Sequence, residues 1–193
     1  LFSCSGTGKG RGTDMRDTCI ACIDVGTTGA RTLIYSLEGD LLAQAYEEYA
    51  SIFLAPTWID HDPSTWINGA KNTFVKAVRQ SSLDPDSIAA ISVISQRSTV
   101  TPVDARGTPL ANAMLWQDKR AVSQTETIRE EFGDDEVYRR TGLRIDPYFT
   151  LPKLLWLKEN SPQVFRSAHK FLTVHDLVIN HLTGAFVTDW TQA

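Results

Sequence analysis

The stretch that most constrains this chain is Thr18–Val25 (TCIACIDV), an almost unbroken apolar run that stops at Gly26-Thr27-Thr28-Gly29. A short continuous apolar run closed by a turn fits a central strand buried on both faces. Arg31–Leu37 follows as a second strand, and Glu38-Gly39-Asp40 is a turn leading into a third, Leu41–Tyr49. Three strands joined by tight turns form an antiparallel opening to a sheet. Asp62-Pro63 then announces a helix, with Asp suited to the N-cap and Pro to the first helical position. Trp66, Ile67, Ala70, Phe74, Val75 and Val78 recur every three or four residues, the stripe of a helix packed on a sheet.

Beyond the break at Asp84-Pro85-Asp86, Ile88–Ser95 (IAAISVIS) predicts a second buried strand. Thr99–Asp104 and Leu110–Trp116 are strand candidates around the Arg106-Gly107 turn. The chain then turns helical. Ala121, Val122, Thr125 and Ile128 share one side, Thr141-Gly142 ends a second short helix, and Leu151–Glu159 is a third, with Pro152 tolerated in its first turn. Ser161-Pro162 opens a further piece, Lys170–Thr173 is a short strand, and His175–Leu182 closes as a helix before Gly184. The pattern is that of one α/β domain without internal repeats.

With 193 residues, 42% hydrophobic and 22% charged, the chain has the material for a core and is not a disordered one. Its net charge of −4 argues against nucleic-acid backbones as partners. No apolar run approaches the ~18 residues of a membrane span. Three cysteines imply no disulfide framework, and the expected location is the reducing cytoplasm. Residues 1–17 are expected to be a disordered leader or an upstream extension outside the domain, with Met15 as the natural start and residues 1–14 (LFSCSGTGKGRGTD) as upstream read-through. Gly6-Thr7-Gly8-Lys9-Gly10 fails as a phosphate loop, because Ser3 and Gly10 stand where a Gly and a Ser or Thr are needed.

Asp24-Val-Gly-Thr-Thr-Gly-Ala-Arg31 is the segment richest in chemistry. An Asp at the end of a buried strand projects a carboxylate where a cation can be held. Gly26, Thr27, Thr28 and Gly29 offer open backbone N–H groups and two hydroxyls to phosphate oxygens. The plain alternative is a Gly-rich hairpin capped by Asp and Thr. Arg97, directly after a buried strand, needs a partner or solvent for its charge, which favours a site. Cys19 and Cys22 have C-x-x-C spacing, but within a strand they point to opposite faces, as two buried thiols. His175 and His181 are spaced six apart, not four, which does not make a metal pair. His61 falls in a Trp58–Pro63 loop, with a surface or turn role.

Ile23–Arg31 resembles the first phosphate hairpin of the actin-like ATPase superfamily. Trp58-Ile-Asp-His-Asp-Pro63 with Trp66, Gln96-Arg97, Met114-Leu-Trp-Gln-Asp118 with Arg120, Thr141-Gly-Leu-Arg-Ile-Asp-Pro-Tyr-Phe149, and Val187-Thr-Asp-Trp-Thr-Gln-Ala193 resemble the FGGY carbohydrate kinases, in family order. The resemblance implies an actin-like (ribonuclease H-like) α/β fold with a mixed sheet and flanking helices, residues 18–193 being part of the sugar-binding N-terminal domain and incomplete at the C-terminus. It implies ATP and Mg²⁺ as cofactors and a small sugar or polyol as partner, with a homo-oligomer open for the full-length form. Asp24 would help place Mg²⁺, with Gly26, Thr27, Thr28 and Arg31 near the phosphoryl path. Gln96, Arg97, Ser98, Trp116, Asp118 and Tyr148 would bind substrate. Arg donates to hydroxyl oxygens, Trp packs on a carbon chain, and Tyr combines an apolar face with a polar tip.

Ser98 departs from the Glu of glycerol kinases, and Arg97-Ser98 from the Met-His of xylulokinases, so the substrate stays open. In the family, the catalytic base and most of the ATP site would follow Ala193, so residues 1–193 alone are expected to be inactive. The alternatives are an actin-like chaperone or activase, which would lack a polyol pocket, and a sugar-binding module without catalysis.

Overall fold

The structure is a computed structural model that describes residues Thr18–Gln192. The leader, the failed phosphate-loop sequence and the Met15 start lie outside the described residues. The principal sheet has four strands in the order β3-β2-β1-β6, with β1 spanning Cys19–Val25, β2 Gly29–Ser36, β3 Leu41–Glu48 and β6 Ile88–Ser95. β1 pairs antiparallel with β2 and parallel with β6, and β2 pairs antiparallel with β3. The apolar run of β1 therefore lies centrally, with Cys19, Ala21, Ile23 and Val25 buried.

Helix α1, Pro63–Ser81, covers one face. Asp62 accepts a hydrogen bond from the Ser64 N–H at 2.9 Å, which fixes the helix start. Trp66, Ala70 and Ala77 are buried with Ile23, Val25, Ala30 and Ile34, and the Thr73 and Thr32 hydroxyls join helix to sheet at 2.9 Å. Gly69 permits this close approach, since a Cβ there would sit 3.1 Å from that of Ala30. Val75, expected on the inner stripe, instead faces out.

Two small sheets complete the strands. β4 (Ile52–Ala55), β5 (Trp58–His61) and β8 (Ala113–Met114) form one, and β7 (Thr101–Val103) with β9 (Lys170–Leu172) the other. The helices α2 (Val122–Phe132), α3 (Asp134–Thr141), α4 (Thr150–Asn160), α5 (Pro162–Ser167) and α6 (Val174–Thr183) fill the second half. No helix among the described residues is long and apolar enough to cross a membrane.

Three expectations are corrected. Ile88–Ser95 is not buried on both faces: it pairs only with β1 among the described residues, leaving Ile91 44% and Ile94 50% exposed. Its apolar pattern marks a strand, but burial depends on what packs against it. His61 is not a loop or surface residue; it ends β5 fully buried. The Trp66 indole N–H donates to Nδ1 at 3.0 Å and Nε2 lies 2.8 Å from the Ser51 hydroxyl, so Nε2 carries the proton and the ring is neutral. Burial holds its pKa below the usual histidine value. Cys19 is buried but Cys22 only partly so, and both are free thiols.

Candidate functional site

The hairpin tip between β1 and β2 is tightly held. The Gly26 N–H donates to Gly29 O at 3.0 Å, the Tyr49 hydroxyl donates to Gly26 O at 2.6 Å, and the Tyr49 N–H donates to Thr28 O at 3.2 Å. Gly29 has no room for a side chain: a Cβ would meet Glu47 O at 2.6 Å and the Tyr46 hydroxyl at 2.5 Å. Asp24 lies opposite Arg31 in the β1–β2 register and beside Ile94 of β6. Burial raises its carboxyl pKa above the ordinary range, opposed in part by the Arg31 charge. Arg31 itself is exposed and lies over the Tyr46 ring, 5.3 Å from its centroid.

Thr27 connects this tip to residues far along the chain. The Trp116 indole N–H donates to Thr27 Oγ1 at 2.9 Å, and Thr27 Oγ1 donates to Gln96 Oε1 at 3.1 Å. Gln96 continues the β1–β6 pairing by donating its backbone N–H to Val25 O at 3.0 Å. Trp116 is further held by its N–H to the Thr99 hydroxyl at 3.1 Å, and its ring lies 5.5 Å from that of Tyr148. Thr27, Gln96, Trp116 and Tyr148 thus form one continuous group, although the residues span more than half the chain. The Gln96 Nε2 amide is buried without a partner among the described residues, a donor available to an oxygen.

Arg97 and Ser98 follow Gln96 directly and line a cavity of about 310 Å³ with Arg144, Asp146 and Phe149. Ser98 adopts the left-handed backbone conformation, φ +58°, which costs a residue with a Cβ roughly 1–2 kcal/mol. Tyr148 borders an adjoining cleft with the same Arg144, Asp146 and Phe149. Thr28 stands exposed at the hairpin tip.

Asp118 has another task than the substrate grip read from the sequence. Its Oδ2 accepts the Ile59 N–H at 2.6 Å, and both oxygens accept the Arg120 Nε–H at 2.9 Å. Arg120 also pairs with Asp60, and its guanidinium lies 4.7 and 5.2 Å from the Trp58 and Trp156 rings. All three charged side chains are at least nine-tenths buried. These bonds tie Asp118 to β5 directly and, through Arg120, to Trp156 of α4.

Lys153 is the site residue that sequence reasoning missed. It is fully buried on α4 and donates to Ser98 O at 3.1 Å, Pro147 O at 3.0 Å and Tyr148 O. The only signal was a charge within the apolar run LPKLLWL.

The FGGY family of carbohydrate kinases, N-terminal domain, matches residues 19–193. The chain belongs to the FGGY family of carbohydrate kinases. It is 35% identical over 181 residues to a glycerol kinase of Thermococcus onnurineus, covering 92% of this chain and 36% of the relative. A glycerol kinase of Roseobacter denitrificans is 38% identical over 183 residues, covering 91% and 37%. A ligand-bound xylulose kinase structure from Lactobacillus acidophilus superposes with a TM-score of 0.84 at 28% identity, over 91% of this chain and 35% of that one. The glycerol kinase of Plasmodium falciparum with ADP, at 23% identity and TM-score 0.77 over 86% of this chain and 34% of that one, shares the fold. The actin-like α/β fold expected from the sequence is thereby established. The chain spans little more than a third of the length of these relatives. Membership sets aside the chaperone or activase alternative.

Proposed function

We propose that this chain is the sugar-side part of an ATP-dependent kinase that transfers the γ-phosphoryl of ATP to a hydroxyl of a small polyol or sugar. The observation that carries this reading is the Trp116–Thr27 hydrogen bond at 2.9 Å, which joins a hydroxylated, Gly-rich hairpin to an indole–phenol wall. Trp116 and Tyr148 would pack on the carbon chain of the guest, and Arg97 and the buried Gln96 amide would donate to its hydroxyls. With the Gly26 N–H already bonded to Gly29 O, the Thr27 and Thr28 backbone and the Thr28 hydroxyl would face the phosphoryl group. Asp118 is left out of this set because Arg120 and Ile59 already occupy it.

Asp24 suits Mg²⁺: it is a half-buried carboxylate whose charge is disfavoured where it stands, and a divalent cation reverses that penalty. Mg²⁺ keeps several of its waters and is usually held through one or two carboxylates, a role one Asp can fill. When bound, the ion would neutralise charge on the phosphoryl oxygens. The contribution of the chain is then positioning and charge neutralisation, with the general base and most of the nucleotide site supplied by sequence after residue 193. We further propose a cytoplasmic setting, in keeping with the free thiols. The test is a thermal-shift screen of the full-length protein against glycerol, xylulose, ribulose, erythritol and related compounds, followed by coupled assays for ADP release. Polyol-dependent ADP release supports the reading. Polyol binding without ATP turnover assigns a binding module instead.

A further inference from the structure

A fully buried ammonium with no carboxylate in contact needs a reason, since an apolar residue in the same helical stripe avoids the cost of desolvating a charge. The acceptors of Lys153 give that reason. Ser98 O at 3.1 Å belongs to the turn after β6, and Pro147 O at 3.0 Å and Tyr148 O belong to the loop before α4. Phe149 O is more distant at 3.4 Å. Three N–H groups thus bridge two loops that no strand pairing joins among the described residues. These loops present Arg97 and Ser98 on one side and Tyr148 on the other, and Ser98 is held in the left-handed conformation. We propose that Lys153 is a positioning residue that locks the Arg97–Ser98 turn to the Tyr148 loop and so sets the width of the polyol pocket. The assignment rests on the kinase reading for its purpose, while the clamp itself rests on geometry alone.

Charge tunes the clamp. Burial lowers the Lys153 pKa to about 8; Asp118 and Asp146 favour the ammonium, Arg120 opposes it, and the Tyr148 ring centroid lies 6.0 Å away. Above that pH the neutral amine has one donor fewer for the same carbonyls. The test compares the wild type with Lys153→Met and Lys153→Arg by amide hydrogen exchange, read as protection factors. The probes are the Tyr148 and Phe149 amides, which donate to Asp146 at 2.8 and 3.1 Å, with β1 and β2 as internal controls. In Lys153→Met the loop amides should lose about tenfold in protection while the sheet keeps its own. Loop protection equal to the wild type overturns the proposal. Should Lys153→Met fail to fold, the pH arm decides. Wild-type loop protection falls relative to the sheet between pH 7 and about pH 9.5, whereas Lys153→Arg stays flat because a guanidinium does not titrate there. A flat wild type overturns the clamp. In the full-length enzyme, Lys153→Met should also raise the polyol KM about tenfold with the ATP KM unchanged. A wild type that turns over no polyol refutes the kinase reading, and exchange alone then judges the clamp.

Discussion

Thr27→Val tests the joint on which the site depends. Valine keeps the shape of threonine but removes the one oxygen that accepts from Trp116 at 2.9 Å and donates to Gln96 at 3.1 Å. Each bond of this kind contributes about 0.5–1.5 kcal/mol net, and a stranded buried donor costs about 1–3 kcal/mol. The groups here are partly buried, so water recovers some of the loss and about 1–2 kcal/mol is expected. For a domain of this size that lowers Tm by roughly 3–6 °C. Thr27→Ser retains the oxygen and should stay within about 0.5 kcal/mol of the wild type. Urea unfolding followed by tryptophan emission measures the loss, and a double-mutant cycle with Trp116→Phe isolates the pair. A coupling of about 1 kcal/mol is expected, and strict additivity of the two changes would refute the joint.

Three further outcomes follow from the same geometry. Asp24→Asn removes a carboxylate that burial disfavours, so calorimetry should show an unchanged or raised Tm. The same change should cut phosphoryl transfer by the full-length protein at least about a hundredfold, and a lower Tm with full activity would contradict the role given to Asp24. Arg120→Met strands the buried Asp60 and Asp118 carboxylates and should cost about 3–5 kcal/mol in chemical denaturation; a loss below about 1 kcal/mol would show the pair to be dispensable. His61 is neutral in the fold with a lowered pKa, so as pH falls through about 6.5 the unfolded chain takes up the proton first. The stability from His61 is therefore present above that pH and lost below it, and His61→Gln should flatten the acid limb of a Tm–pH profile.

The opening sheet and α1 were legible because their signals are local. β1 is a continuous apolar run, its turns carry glycines, and Asp62-Pro63 marks a helix start. Where burial depends on distant partners, the reading failed. Ile88–Ser95 has the composition of a central strand but pairs on one side only among the described residues, and the polar letters around His61 hide a buried imidazole held by Ser51 and Trp66. At the site, motif resemblance nominated Thr27, Gln96, Trp116 and Tyr148, and the fold brings these four together. It also nominated Asp118, because a motif records that a carboxylate stands there and not which neighbour consumes it. Lys153 stayed hidden because its partners are backbone carbonyls, which no side-chain pattern reveals.

The most direct check on the shared pocket is fluorine NMR of the full-length protein labelled with 5-fluorotryptophan, its Trp116 signal assigned through Trp116→Phe. The compound that supports ATP turnover should shift the Trp116 resonance saturably and at the concentrations that saturate the rate. Turnover of that compound with the Trp116 resonance unmoved would contradict the account.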